Sequence, residues 1–252
     1  MEAINPPVQL IPKVIYQNAE KVGIATEKML SKNPAYRYHP FNDTECERFI
    51  EAEFGQTERD VFHSLSGSQR TEFWRYCILY KRGGIYIAPG VNVTKSLDDL
   101  IKPNDTEFFV YGDTFNIEHQ IFGAQPRSEL MRNAIDLAVQ RIRNKDRDDV
   151  IQNVVDVVPE SDFMESEQIV KVCNASGGYC APLDTPGGYD RYMWWSTGPV
   201  LLGDVLYRKI TGRPIESGEH VFPIHLKQRL MEQLFGIDRK LQSIGYTHLD
   251  ES

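Results

Sequence analysis

The chain has 252 residues and a formal charge of −8, with 41% hydrophobic and 25% charged residues. This is the composition of a globular protein with a sizeable core, and its acidic balance excludes a basic surface for non-specific nucleic-acid binding. No apolar run reaches the roughly 18 residues of a membrane span, and the opening "MEAINPPVQL" lacks the basic and apolar regions of a signal peptide.

A soluble chain is therefore expected, with a cytoplasmic setting favoured. The cysteines fit that setting. Cys46, Cys77, Cys173 and Cys180 form no C-x-x-C pair, which speaks for reduced thiols and against a zinc ribbon. Sequons beginning at Asn42, Asn92, Asn104 and Asn174 keep a secretory context open.

"IPKVIYQ" (11–17) reads as a buried first strand, followed by helix to about Ser31. "NPAYRYHPFN" reads as extended and ends in the cap-like Asn42-Asp43-Thr44. "ECERFIEAEF" has helical spacing, with Phe49, Ile50 and Phe54 on one side, and a further helical stretch runs to about His63. The clearest helix spans 67–82, with Ser66 or Ser68 as cap and Gly83-Gly84 as stop. "IYI" (85–87) and "EFFVYGD" (107–113) read as strands, "IFGA" (121–124) as one more. "SELMRNAIDLAVQRIR" (128–143) has a typical amphipathic face. "GPVLLGDVLYRKITG" reads as a late helix and "HVFPI" as a late strand. This alternation predicts a mainly parallel α/β sheet, in which ligands bind beyond the carboxyl ends of the strands.

The helix over 67–82 is apolar nearly all round, so it is expected to be buried. Yet it carries Glu72 and Arg75, three apart and on one face. Buried charge is costly unless paired or used. Two readings stand: an internal salt bridge, or an Arg75 fork aimed at an anionic ligand near the strand end.

The order "IPKVIYQ … NPAYRYHPFND … RTEFWRYCILYKRGGIYI … IFGAQPRSELMRNAI … STGPVLL" resembles the DXD-containing sugar-transferase family. That family includes the initiating α-1,6-mannosyltransferases and is related to clostridial toxin glucosyltransferase domains. The resemblance implies one GT-A-like domain over 1–252: a Rossmann-like nucleotide-sugar half over about 10–115, and an acceptor half with C-terminal helices over about 116–252. It implies retaining transfer from a UDP- or GDP-sugar to a glycan or protein acceptor.

By the same resemblance, Tyr16 and Gln17 form the exposed strand end that lines base and ribose. Glu72, in place of the family's Asp, hydrogen-bonds donor-sugar hydroxyls. Arg75 reaches the donor sugar or its diphosphate, and Tyr86 fixes the strand beside the metal site; Arg70 is a further nucleotide-sugar candidate by its charge. His119 and Gln120 are candidates for the donor sugar's reactive face. Trp194 and Trp195 cannot both point inward from one strand; one is assigned to the core and the other to the acceptor cleft.

The family's Asp-x-Asp should follow "GGIY" after one residue. Ala88 and Gly90 stand there instead. Neither supplies the carboxylates that hold a divalent cation against a leaving diphosphate. No metal ligand is therefore assigned beyond the candidate His248, and Mg²⁺ or Mn²⁺ is expected only as a companion of the nucleotide. Asp98 and Asp99 are read as caps of the next helix. Two functions remain: a transferase whose diphosphate is met by Arg70, Arg75, Lys81, Arg82 or Lys95, or a non-catalytic binder or partner subunit of an active transferase.

Overall fold

The computed structural model describes residues 9–91, 93, 95–111, 117–144, 196–198, 201–203, 205, 206 and 209. Five strands form one sheet: β1 (Val14–Asn18), β2 (Arg37–Phe41), β3 (Gly84–Ile87), β4 (Glu107–Tyr111) and β5 (Ile117–Ala124). Their order is β2-β1-β3-β5-β4. β1 pairs in parallel with β2 and β3, whereas β5 is antiparallel to both β3 and β4. Four strands therefore share one direction, and β5 runs against them.

Helices bounded within the described residues accompany the sheet: α1 (Ile24–Lys32), α2 (Asp43–Glu53), α3 (Gln56–Ser64), α4 (Ser68–Arg82), α5 (Leu97–Leu100) and α6 (Glu129–Asn144). Alternation along the strands splits the core in two. Val14, Tyr16, Tyr86 and Phe122 pack with α2, α3, α4 and α6 on one face. Ile15, Ile85, Ile87 and Ile121 pack with Met29 of α1 and Leu97 of α5 on the other. The result is a three-layer α/β/α arrangement.

α4 lies inside the first of these layers. Phe73, Trp74, Tyr76, Cys77, Ile78 and Leu79 are all fully buried, each worth roughly 1.5–3 kcal/mol when withdrawn from water. Its expected serine cap is absent. Gly67 is the N-cap residue and makes no side-chain hydrogen bond. α2 begins as its sequence suggests: Asn42 and Glu45 form a reciprocal capping box.

The glycine stop after α4 is real, with a geometry that excludes other residues. Gly83 has φ 63° and ψ −177°, a region open essentially to glycine alone. A Cβ there would lie 2.5 Å from Pro126 Cδ and 2.6 Å from Pro126 N. By contrast, Gly90 has φ 84° but open space around the same position. We expect Gly83→Ala to cost about 2–4 kcal/mol of stability, combining backbone strain with overpacking. Gly90→Ala should cost about 1–2 kcal/mol, from the backbone alone. Urea denaturation of both variants checks the ordering; equal midpoints would contradict it.

Candidate active site at the carboxyl ends of β1 and β3

A crossover helix runs back against the parallel strands it connects, so the start of α4 lies at the carboxyl ends of β1 and β3. One contact marks the place: Thr71 Oγ1 donates to Asn18 Oδ1 at 3.2 Å. Asn18 closes β1, and its Nδ2 donates to Phe41 O at 3.2 Å and Asp43 Oδ1 at 3.1 Å. Asn18 was not among the expected site residues, because the first strand was read as ending at Gln17.

Glu72 is 2% exposed and Arg75 is 5% exposed. Both carboxylate oxygens of Glu72 are engaged. Oε2 accepts from Thr197 Oγ1 at 2.6 Å, and Oε1 lies 3.0 Å from His119 Nε2. The Arg75 guanidinium approaches Oε1 only to 3.9 Å. Its Nη1 donates to the His119 carbonyl at 2.5 Å. Its face lies 4.6 Å from the Tyr86 ring centroid, a cation–π arrangement suited to a planar fork. Burial raises the Tyr86 phenol above its ordinary pKa, with Arg75 opposing the shift. Tyr86 thus supports Arg75 beneath the strand end.

One face of α4 holds residues 196–197. Gln69, Glu72 and Tyr76 recur at helical spacing. Gln69 Nε2 donates to Ser196 Oγ at 3.0 Å, and Tyr76 OH donates to Thr197 O at 2.6 Å. Three polar groups of this otherwise apolar helix, those of Gln69, Glu72 and Tyr76, are therefore met by a segment more than a hundred positions away. A sequence signal for it existed in the isolated polar spacing of α4, but nothing local named the partner.

His119 reaches Glu72 through a break in strand pairing. β4 and β5 pair Phe109 with Phe122, then Val110 with Glu118. Residues 119–121 are thus extra on β5, and such bulges re-aim side chains. Ile121 points into the far core and Phe122 into the near one. Strict alternation would place His119 with Ile121; the bulge brings it to α4. The neighbouring Gln120 carbonyl accepts from the Ala88 N–H at 2.7 Å, which holds the turn after β3 against β5. Gln120 itself is half-buried.

Several expectations need correction. Tyr16 and Gln17 are 4% and 1% exposed, not an open strand end. Tyr16 packs against His39 and Phe41 in the core. Gln17 Oε1 accepts from Thr26 Oγ1 and Tyr38 OH, both at 2.9 Å. Arg70 turns away from the cleft. Its Nε donates to Leu65 O at 2.8 Å and so satisfies the last turn of α3. Lys81 and Arg82 sit at the opposite end of α4, near Glu53 and over the rings of Phe54 and Phe49. Asp98 lies at the other end of the sheet, where Lys13 and Tyr36 bind it and the lysine hydrogen bond lowers its pKa.

The turn Ala88-Pro89-Gly90 is the part of the site that bears on a metal. It offers no side-chain oxygen, and residues 19–108 contain no Asp-x-Asp sequence. Among the described residues, no three His, Cys, Asp or Glu side chains are grouped to hold an ion. The donor set at this strand end does not fit a carboxylate-bound divalent cation. Cys46, beside Asn18, is a buried free thiol whose pKa is pushed up to about 12 by burial, so it is not a nucleophile at neutral pH. Trp194, Trp195 and His248 lie outside the described residues, as do Cys173, Cys180 and the late strand.

The geometry makes Arg75 a member of an internal cluster. Arg75→Ala leaves Glu72 without its cation, and should cost about 3–5 kcal/mol, as for a broken buried pair. Arg75→Lys keeps the charge but loses the ring stack and the fork, so it should fall between Ala and Arg. Chemical denaturation reads both. Wild-type stability in Arg75→Ala would contradict the internal cluster.

Residues 19–108 match the family described as "Glycosyltransferase sugar-binding region containing DXD motif". Mannosyl phosphorylinositol ceramide synthase CSH1 of Saccharomyces cerevisiae is 30% identical over 128 residues, which cover 48% of this chain and 33% of that protein. The match thus spans about a third of the relative's length. Among solved structures, the PaToxG glycosyltransferase superposes with a TM-score of 0.53 at 13% identity, over 95% of this chain and 80% of that one. No helix among the described residues is long and apolar enough to cross a membrane. Residues 19–108 are thus similar to the sugar-binding region of the DXD-motif glycosyltransferases, and the fold is GT-A-like α/β.

Proposed function

We propose that the protein transfers a hexose from a UDP- or GDP-sugar to a glycan or protein acceptor, and that the donor binds beyond the carboxyl ends of β1 and β3. The observation that carries the reading is convergence. Asn18, Thr71, Glu72, Arg75, His119 and the 88–90 turn meet at that edge, and ligands of such sheets bind there. The family match over 19–108 and the mannosyl-transferring name of the yeast relative support a sugar donor, with GDP-mannose among the first to test.

In this reading Ala88-Pro89-Gly90 occupies the place of the family's Asp-x-Asp. The expected donor contacts change accordingly. The cleft wall is Asn18, His119, Gln120 and the backbone of the turn, while Glu72, Arg75 and Tyr86 form its floor. Tyr16 and Gln17 support the wall from within. Arg75 is the cation this reading offers to a diphosphate; Arg70, Lys81 and Arg82 are committed elsewhere. Trp194 and Trp195 keep their proposed places in the core and acceptor cleft. Sugar transfer with retention of configuration remains part of the proposal.

The chemistry the protein's own groups supply is positioning and charge. Fixed dipoles and cations in a water-poor cleft can stabilise a leaving diphosphate. Without carboxylates at 88 and 90 they must do so without a protein-held metal clamp. The same lack favours a second reading, a sugar-nucleotide or glycan binder without turnover, or a partner subunit of an active transferase.

Calorimetric titration with UDP, GDP, UDP-glucose and GDP-mannose tests the proposal. At least one should bind, and its affinity should change less than about tenfold between EDTA and millimolar Mn²⁺, or 1.4 kcal/mol. Product formation with a bound donor separates transferase from binder. Absence of binding by every ligand contradicts the nucleotide-sugar reading. Strong Mn²⁺ dependence contradicts the account of the 88–90 turn and directs mutagenesis to His248.

A further inference from the structure

Glu72 is placed by family resemblance on the donor sugar, but its geometry assigns it another task. We infer that Thr197 and Glu72 are positioning residues that lock His119 as the Nε2–H tautomer, leaving Nδ1 open to accept a hydrogen bond from a sugar hydroxyl in the cleft. The inference deepens the proposed function and rests on it for the identity of the ligand.

Three observations carry it. First, Glu72 is buried with both oxygens engaged, by Thr197 Oγ1 at 2.6 Å and by His119 Nε2 at 3.0 Å. A carboxylate only accepts, so the proton in the second contact belongs to Nε2. A neutral imidazole then has its lone pair on Nδ1. Second, Nε2 is the ring atom turned inward. The His119 side chain is 20% exposed, and Nδ1 has no hydrogen-bond partner among the described residues. Third, the extra residues 119–121 on β5 show how the ring comes to this place, and Arg75 fixes the same residue from behind through its carbonyl.

Thr197 matters because it orients the carboxylate. Its hydroxyl donates to Oε2 while its carbonyl is held by Tyr76 OH at 2.6 Å. With that oxygen anchored, Oε1 is presented to the ring. Thr197 thus acts on His119 through Glu72. A hydroxyl group is the fitting partner for Nδ1, since it donates to a neutral nitrogen. A phosphate oxygen has no proton to offer and would meet a lone pair. His119 is therefore set to meet a hydroxyl and not a phosphate oxygen.

Long-range ¹H–¹⁵N spectra of the histidine rings test this in the free protein first. The His119 ring should show a protected N–H at Nε2 and an unprotonated Nδ1. Thr197→Val should speed exchange of that proton, and Thr197→Ser should restore it. Glu72→Gln should shift or abolish the resonance; if that variant fails to fold, the threonine pair still decides. A proton on Nδ1, or Nε2–H exchange unchanged in Thr197→Val, overturns the positioning role. A second arm adds GDP-mannose and UDP-glucose, each against its diphosphate. The Nδ1 signal should move with a sugar-bearing ligand and stay in place with GDP or UDP alone. Equal movement with the diphosphate, or none at saturation, overturns the hydroxyl assignment. If no probe binds, the nucleotide-sugar reading falls and the hydroxyl assignment with it, while the free-protein spectrum still decides the tautomer.

Discussion

A carboxylate buried in an apolar helix is the constraint on which this structure turns. Glu72 sits among Phe73, Trp74 and Tyr76, all fully withdrawn from water. An uncompensated charge there would cost several kcal/mol. Its partners come from distant places: His119, 47 residues away, and Thr197, 125 residues away. Arg75 adds a cation on the same helix face. Satisfying one charge therefore requires α4, the bulged strand β5 and residues 196–197 to arrive together. The same group that endangers the core also gathers the cleft.

Backbone geometry extends this constraint to the strand end. Gly83 lets the chain leave α4 and enter β3 directly under Pro126, where a side chain has no room. β3 is only four residues long, so the distance from that stop to the 88–90 turn is short and fixed. The turn is tied to β5 through the Ala88 N–H and Gln120 O. The turn is consequently tied to the residue next to His119. The polar groups at this edge are preorganised by packing, and positions 88–90 of the turn beside them carry no carboxylate. That combination separates this scaffold from the DXD motif that the matched family's description names.

Much of the scaffold was legible in the sequence because local rules agree there. The apolar helix over 67–82 and the double glycine gave α4 and β3 to within a residue. The cap-like Asn42-Asp43-Thr44 announced α2. What escaped was set by tertiary neighbours. Gln17 looked like an exposed strand end, yet β1 is flanked on both sides by β2 and β3, and α1 covers it. Arg70 looked like a donor ligand because it shares a helix with Glu72. The orphan carbonyls at the end of α3 lie closer and claim it. The pair of Glu72 with Thr197 spans half the chain, and no periodicity reports such a contact. His119 was singled out on family order; the bulge that turns it toward α4 has no signature in "NIEHQIFGA".

The central claim is that a nucleotide sugar occupies the edge shared by β1, α4, β3 and β5. Hydrogen exchange read by mass spectrometry, with and without saturating GDP-mannose or UDP-glucose, tests it most directly. The account predicts new protection in peptides covering residues 18–24, 66–76, 88–91 and 117–121, and little change in α6 or at the Lys13–Asp98 end of the sheet. Protection at that opposite end, with the 88–91 and 117–121 peptides unchanged, would contradict it.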